Sequence, residues 1–340
     1  MKARQCMTTL NTSPRRAPAV GFWAVLAGSG LLLLTLAWPI RAAQDCPPPP
    51  RAPTPEQLSS SLREVRDRGL LWRLEREGQV GWLYGTLHVG RPAWSFPGPM
   101  VSRALRAADT LALELDPSDP ALPQALQAAS AAARTGPEPL LGTELAARLQ
   151  AMAQAACVQG PAFNSLHPVL QLTTLVIQSG RRQGLEPAFG QETTLARIAK
   201  IAGKRLVALE SAQQQLLVLI PADPQRLREM LDASLSALAS GQAGALHLAL
   251  AEAWAQGDLD RLSNPAQLCD CVPSDSDREL MRRANDERNP AMADAIAAQL
   301  AQGHRVFAAV GALHMTGPAA LPLLMARRGY AVQRIHFAPL

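Results

Sequence analysis

The chain has 340 residues, 48% of them hydrophobic, enough for one large domain or two modest ones with a sizeable core. Its formal charge of +5 resides at the N-terminus, where Lys2, Arg4, Arg15, Arg16 and Arg41 have no acid among the first 43 residues and the remainder is formally neutral. No basic face is left for a nucleic-acid partner, so that class is excluded.

Residues 1–43 read as a signal peptide or N-terminal anchor. A basic stretch ending at Arg15-Arg16 precedes a mostly apolar run from Ala19 to Ile40, then Ala42-Ala43, after either of which cleavage is plausible. Left uncleaved, the run is near bilayer-spanning length and provides the one expected membrane contact. Both outcomes place the folded part in the periplasm or cell envelope. Cys46, Cys157, Cys269 and Cys271 follow the leader, an even count that favours disulfides in an exported chain without fixing their pairing.

Residues 44–56 form a Pro-rich linker and residues 57–340 the domain. Leu70–Arg76 and Val80–His88 are strand-like runs split by Glu77-Gly78, a hairpin signal. Met100–Ala108 reads as helix and leads into the strand-like Thr110–Asp116. The Ala- and Leu-rich stretch 121–156, interrupted at 136–139, suggests two helices. Helices follow at Pro168–Ser179 and Gln191–Ala202, the latter stopped by Gly203. Lys204–Glu210 reads as a strand, and Gln213–Leu219, Pro224–Ala239, Ala243–Ala255 and Pro290–Ala301 as helices. Arg305–Val310 is the clearest buried strand. Pro318–Arg328 is helical and Ala331–Phe337 a last strand. The alternation predicts an α/β domain, heavily helical in its middle third.

Four of the apolar strands end on or near residues able to bind a metal: His88, Glu114, Glu210 and His314. In open α/β sheets, loops converge beyond the carboxyl ends of the strands, so four parallel neighbours would gather these side chains in one cleft. Both histidines stand in a Gly-x-x-His context, and Gly85 and Gly311 are expected to let the chain turn sharply there. Two imidazoles with one or two carboxylates suit zinc, manganese, iron or cobalt. His167, His247, His304 and His336 are read as structural, Trp254 as a core anchor, and Asp116 as a cap for the turn at Pro117.

The stretches Leu83-Tyr-Gly-Thr-Leu-His-Val-Gly90, Leu111-Ala-Leu-Glu-Leu-Asp116, Leu209-Glu-Ser-Ala-Gln-Gln214, Glu287-Arg-Asn289 and Val310-Gly-Ala-Leu-His-Met-Thr-Gly317 occur in an order that resembles the TraB/GumN family, whose relatives include the Tiki metalloproteases. The resemblance implies a mixed central sheet flanked by many helices. It also implies that His88, Glu114 and His314 hold a divalent metal (manganese, cobalt or zinc), with Glu210 as a fourth ligand or general base and Arg288 as an oxyanion or carboxylate contact. Gly190-Gln191-Glu192 stands where the family usually has a Gly-x-Asp segment, which leaves the role of that acid open. The expected activity is hydrolysis of a peptide, or of another amide or ester, outside the cytoplasm. The rival expectations are an envelope binding protein using the same pocket and an interaction protein supporting export or polysaccharide assembly.

Overall fold

The computed structural model describes residues 54–63, 65–133, 140–264, 266–269 and 275–338. The expected signal or anchor and most of the linker lie outside these residues, as do Cys46, Cys271 and the side chain of Cys269, and with them the disulfide expectation. The last two linker residues are helical, because a helix starts at Pro55. Thr54 caps it: its hydroxyl accepts from Gln57 N at 3.3 Å, and the Gln57 side chain accepts from Thr54 N at 2.9 Å.

Six strands form one mixed sheet: β1 (Leu70–Arg76), β2 (Gln79–Thr86), β3 (Thr110–Leu113), β4 (Arg205–Ala208), β5 (Val306–Gly311) and β6 (Ala331–Ile335), in the order β4-β3-β5-β2-β1-β6. The β1–β2 hairpin turns through Glu77 (φ 49°) and Gly78 (φ 81°), which fits its two-residue loop. The next four strands, β2, β5, β3 and β4, are parallel neighbours, whereas β1 is antiparallel to both β2 and β6.

Chain order and spatial order diverge at β5, which follows β4 in the chain yet slots between β2 and β3. Its sequence, Val-Phe-Ala-Ala-Val-Gly, is buried throughout, as expected for a central parallel strand covered on both faces. The register pairs Thr86 with Gly311, and Leu113 with both Ala208 and Ala309. All four parallel strands therefore finish along one edge of the sheet, with the chain segments carrying His88, Glu114, Glu210 and His314 just beyond.

Helices cover that edge and both faces. Pro168–Ser179 is buried over its first ten residues, and Gln242–Ala255 drives Trp254 fully inside, where its Nε1 donates to Gly85 O at 2.7 Å. Trp254 is thus a core anchor that also fixes the end of β2. Asp116 caps its turn, accepting from Ser118 N at 2.8 Å. The C-terminal helix is shorter than the pattern suggests, Leu321–Arg327, because Gly317 (φ 82°) turns the chain after His314. Among the described residues, no helix is long and apolar enough to cross a membrane.

Candidate functional site

Beyond the strand edge, Glu114 follows β3 directly and is 3% exposed. One carboxylate oxygen, Oε1, accepts from Gly311 N at 2.7 Å and lies 3.6 Å from His314 Nε2. The other, Oε2, accepts from Arg288 Nη2 at 2.7 Å and from Gln215 Nε2 at 3.1 Å. Glu210, just beyond β4, receives Arg288 Nε at 3.0 and 3.1 Å on its two oxygens, and Arg288 Nη2 donates to it as well. The remaining Arg288 amine, Nη1, donates to Ala284 O at 3.0 Å. A π-helical turn, Arg282–Asp286, shifts the helix register immediately before Arg288 and Asn289 and delivers both to the site.

His314 lies in the short 3₁₀ turn Ala312–Met315 and is fully buried. Its Nδ1 is 2.6 Å from Asn289 Oδ1. The Asn289 amide nitrogen donates to His314 O at 3.1 Å and Ala319 O at 2.9 Å, which fixes the amide's orientation because its NH₂ group cannot accept. The Nδ1 atom therefore carries the proton, and in the neutral ring Nε2 presents a lone pair. That Nε2 is buried with no hydrogen-bond partner and faces the Glu114 carboxylate.

His88 approaches the same point from β2, its Nδ1 3.2 Å from Glu192 Oε1. Gly311 marks the convergence: a Cβ there would stand 3.2 Å from Glu114 Oε1, 3.6 Å from His88 Nε2 and 3.7 Å from His314 Cδ2. This corrects the expected role of the glycines. Gly311 has φ −50° and ψ 138°, and Gly85 also lacks a positive φ, so neither supplies an unusual turn. They supply space. A Cβ on Gly85 would lie 3.1 Å from Ala312 Cα, and one on Gly311 would fill the cradle between Glu114 and the two imidazoles.

Burial pushes the Glu114 carboxyl up, but the charges of His314, Arg288 and His88 outweigh it and hold it well below the ordinary carboxylate range. Burial likewise pulls His88 down, and the charge and hydrogen bond of Glu192, with the charge of Glu114, reverse the sign and raise it. Burial disfavours the Arg288 guanidinium, yet Glu114 and Glu210 raise it further. Glu114 and Glu210 thus share the one guanidinium of Arg288, while a third buried carboxylate, Glu192, stands against His88. Neutral imidazoles would leave two negative charges uncompensated, which two protons or one divalent cation would balance.

The residues present fit a divalent metal by donor type, by the orphaned Nε2 of His314 and by the cradle over Gly311. Two donors that each sit about 2 Å from one small cation stand roughly 3–3.5 Å apart, close to the 3.6 Å between Nε2 and Oε1. Among the described residues, no group of three or more His, Cys, Asp or Glu side chains stands ready to hold an ion as placed.

All five residues expected at the site come together. The sequence reading had no role for Gln215, Asn289 or Thr86. Asn289 stands beside Arg288 in the Glu287-Arg-Asn289 motif, the signal the sequence carries for it. Of the histidines read as structural, His167 caps the helix at Pro168, accepting from Val169 N at 3.3 Å.

Residues 70–334 match the sequence model of the TraB/PrgY/gumN family. No curated protein and no solved structure matches the chain.

Proposed function

Because the chain belongs to the TraB/PrgY/gumN family, we propose that it is a metal-dependent hydrolase of the cell envelope that cleaves peptide or related amide or ester bonds. The observation that carries this reading is the buried lone pair of His314 Nε2 opposed to Glu114 Oε1 at 3.6 Å. Two buried acceptors facing each other repel unless a proton or a metal ion lies between them, and Asn289 keeps the proton of the neutral ring on Nδ1, which leaves Nε2 to a metal.

In this proposal His88, Glu114 and His314 hold the ion. When bound, a divalent ion would lower the pKa of a coordinated water and polarise the substrate carbonyl. Arg288 steadies the Glu114 and Glu210 carboxylates and brings positive charge to the wall of the site, where charge developing on a substrate oxygen would be stabilised. Glu210 is the proton acceptor, its direction fixed by Arg288 and Gln215.

A peptide-library cleavage assay with and without added manganese, cobalt or zinc tests this reading. Turnover that needs the metal and vanishes in His314→Ala supports it, and a fully active His314→Ala protein ends it. A second reading, a non-catalytic envelope binding protein, is favoured by the way Arg288 already occupies both Glu114 Oε2 and Glu210. Under that reading metal or peptide affinity would fall on mutation of His88, with no turnover of any library.

A further inference from the structure

The segment Gly190-Gln191-Glu192, remote in sequence, grips the Gly-x-x-His88 loop at successive atoms. Gln191 N donates to Leu87 O at 3.1 Å, and the Gln191 side chain accepts from Leu87 N at 2.8 Å and donates to Trp94 O at 3.3 Å. The two chains meet through glycines at close range. A Cβ on Gly190 would lie 2.5 Å from His88 O, and one on Gly90 would lie 2.5 Å from Phe189 O, so neither position has room for a side chain. Glu192 follows in the first turn of the helix Gln191–Ile201, where the free N–H groups favour a carboxylate.

Its Oε1 receives two groups from the β2 end: the Thr86 hydroxyl and, at 3.2 Å, His88 Nδ1. An ionised carboxylate only accepts, so the imidazole must present Nδ1–H to it. The opposite nitrogen, Nε2, is the one beside Gly311 and Glu114.

We infer that Glu192 is the positioning residue for His88: from the start of a distant helix it fixes the Nδ1–H tautomer and the ring direction that aim Nε2 at Glu114. It is the counterpart, on a charged acceptor, of what Asn289 does for His314. This inference rests on the proposed metal site only for its second readout, because the tautomer exists in the metal-free protein.

The test uses the full-length chain in two measurements. Long-range ¹H–¹⁵N spectra of the metal-free protein at alkaline pH, where imidazole is neutral, assign the His88 tautomer in wild type, Glu192→Gln and Glu192→Leu. Titration with manganese or zinc then gives the affinity of each variant. Wild type and Glu192→Gln, which keeps an acceptor oxygen, are expected to show Nδ1–H. Glu192→Leu is expected to lose that signature and to bind metal about 10- to 100-fold more weakly while its far-UV spectrum stays unchanged.

A wild-type His88 carrying Nε2–H overturns the inference, as does a folded Glu192→Leu protein that keeps Nδ1–H and full affinity. If Glu192→Leu does not fold, Glu192→Ala takes its place: loss of Nδ1–H there sustains the inference, and retention of Nδ1–H with full affinity overturns it. A wild type that shows the expected tautomer but binds no metal sustains Glu192 as the positioning residue and removes the proposed metal site instead.

Discussion

Asn289 Oδ1 accepts from His314 Nδ1 at 2.6 Å, while the same amide's nitrogen is committed to the His314 and Ala319 carbonyls. One side chain thus ties the imidazole ring to the turn that carries it and leaves Nε2 nowhere to point but at Glu114.

Replacing Asn289 separates those two duties. Asn289→Leu leaves two buried carbonyls unpaired and should cost about 1–3 kcal/mol of stability, read by urea unfolding. It should also weaken metal binding by about 10- to 100-fold. Asn289→Asp keeps the acceptor for Nδ1–H but not the two donors, so it should lose stability while retaining more of the affinity.

Gly311→Ala probes the cradle. The backbone angles at Gly311 suit alanine, so the fold should survive with a change within about 2 kcal/mol. The new methyl would stand 3.2 Å from Glu114 Oε1 and 3.6 Å from His88 Nε2, in the place where an ion would be held. Isothermal titration should show affinity falling by about tenfold or more, roughly 1.4 kcal/mol. Unchanged affinity would mean that the ion does not sit over Gly311.

Arg288→Met would leave Glu114 and Glu210 buried without their shared cation and should destabilise the protein by about 3–5 kcal/mol. Arg288→Lys keeps the charge but lacks the planar fork that reaches both carboxylates together with Ala284 O, and should recover only part of the loss. Chemical denaturation of the two variants checks the order.

A separate histidine governs acid sensitivity. Burial lowers the His247 pKa to about 4, against an opposing hydrogen bond to the Val176 backbone and with a further lowering by His88. Because the folded value lies below the unfolded value of 6.5, the unfolded chain takes up the proton first. Stability is therefore full above about pH 6.5 and declines as pH falls toward 4, by about 3 kcal/mol in total. Unfolding curves across that range should show the slope, and His247→Gln should flatten it.

The parallel set β2, β5, β3, β4 was legible because each strand is a short apolar run ending at a polar residue, and the order of those endings placed the site. The tautomer-fixing residues were not legible. Asn289 and Glu192 act through contacts that span 25 and 104 residues, from Asn289 to His314 and from Glu192 to His88, and no local period reports such pairs. The glycines misled for a related reason: the sequence marks where a Cβ is missing, but only packing reveals whether rotation or space required it. Likewise, the pairing of Glu210 with Arg288 depends on a π turn that leaves no periodic signature.

The most direct test of the central claim is the metal content of the full-length protein after exposure to manganese, cobalt and zinc in turn, beside a His88→Ala, His314→Ala double variant. The account predicts close to one divalent ion per wild-type chain and none in the folded double variant. A folded wild type that takes up no ion, or a double variant that binds as well as wild type, would contradict it.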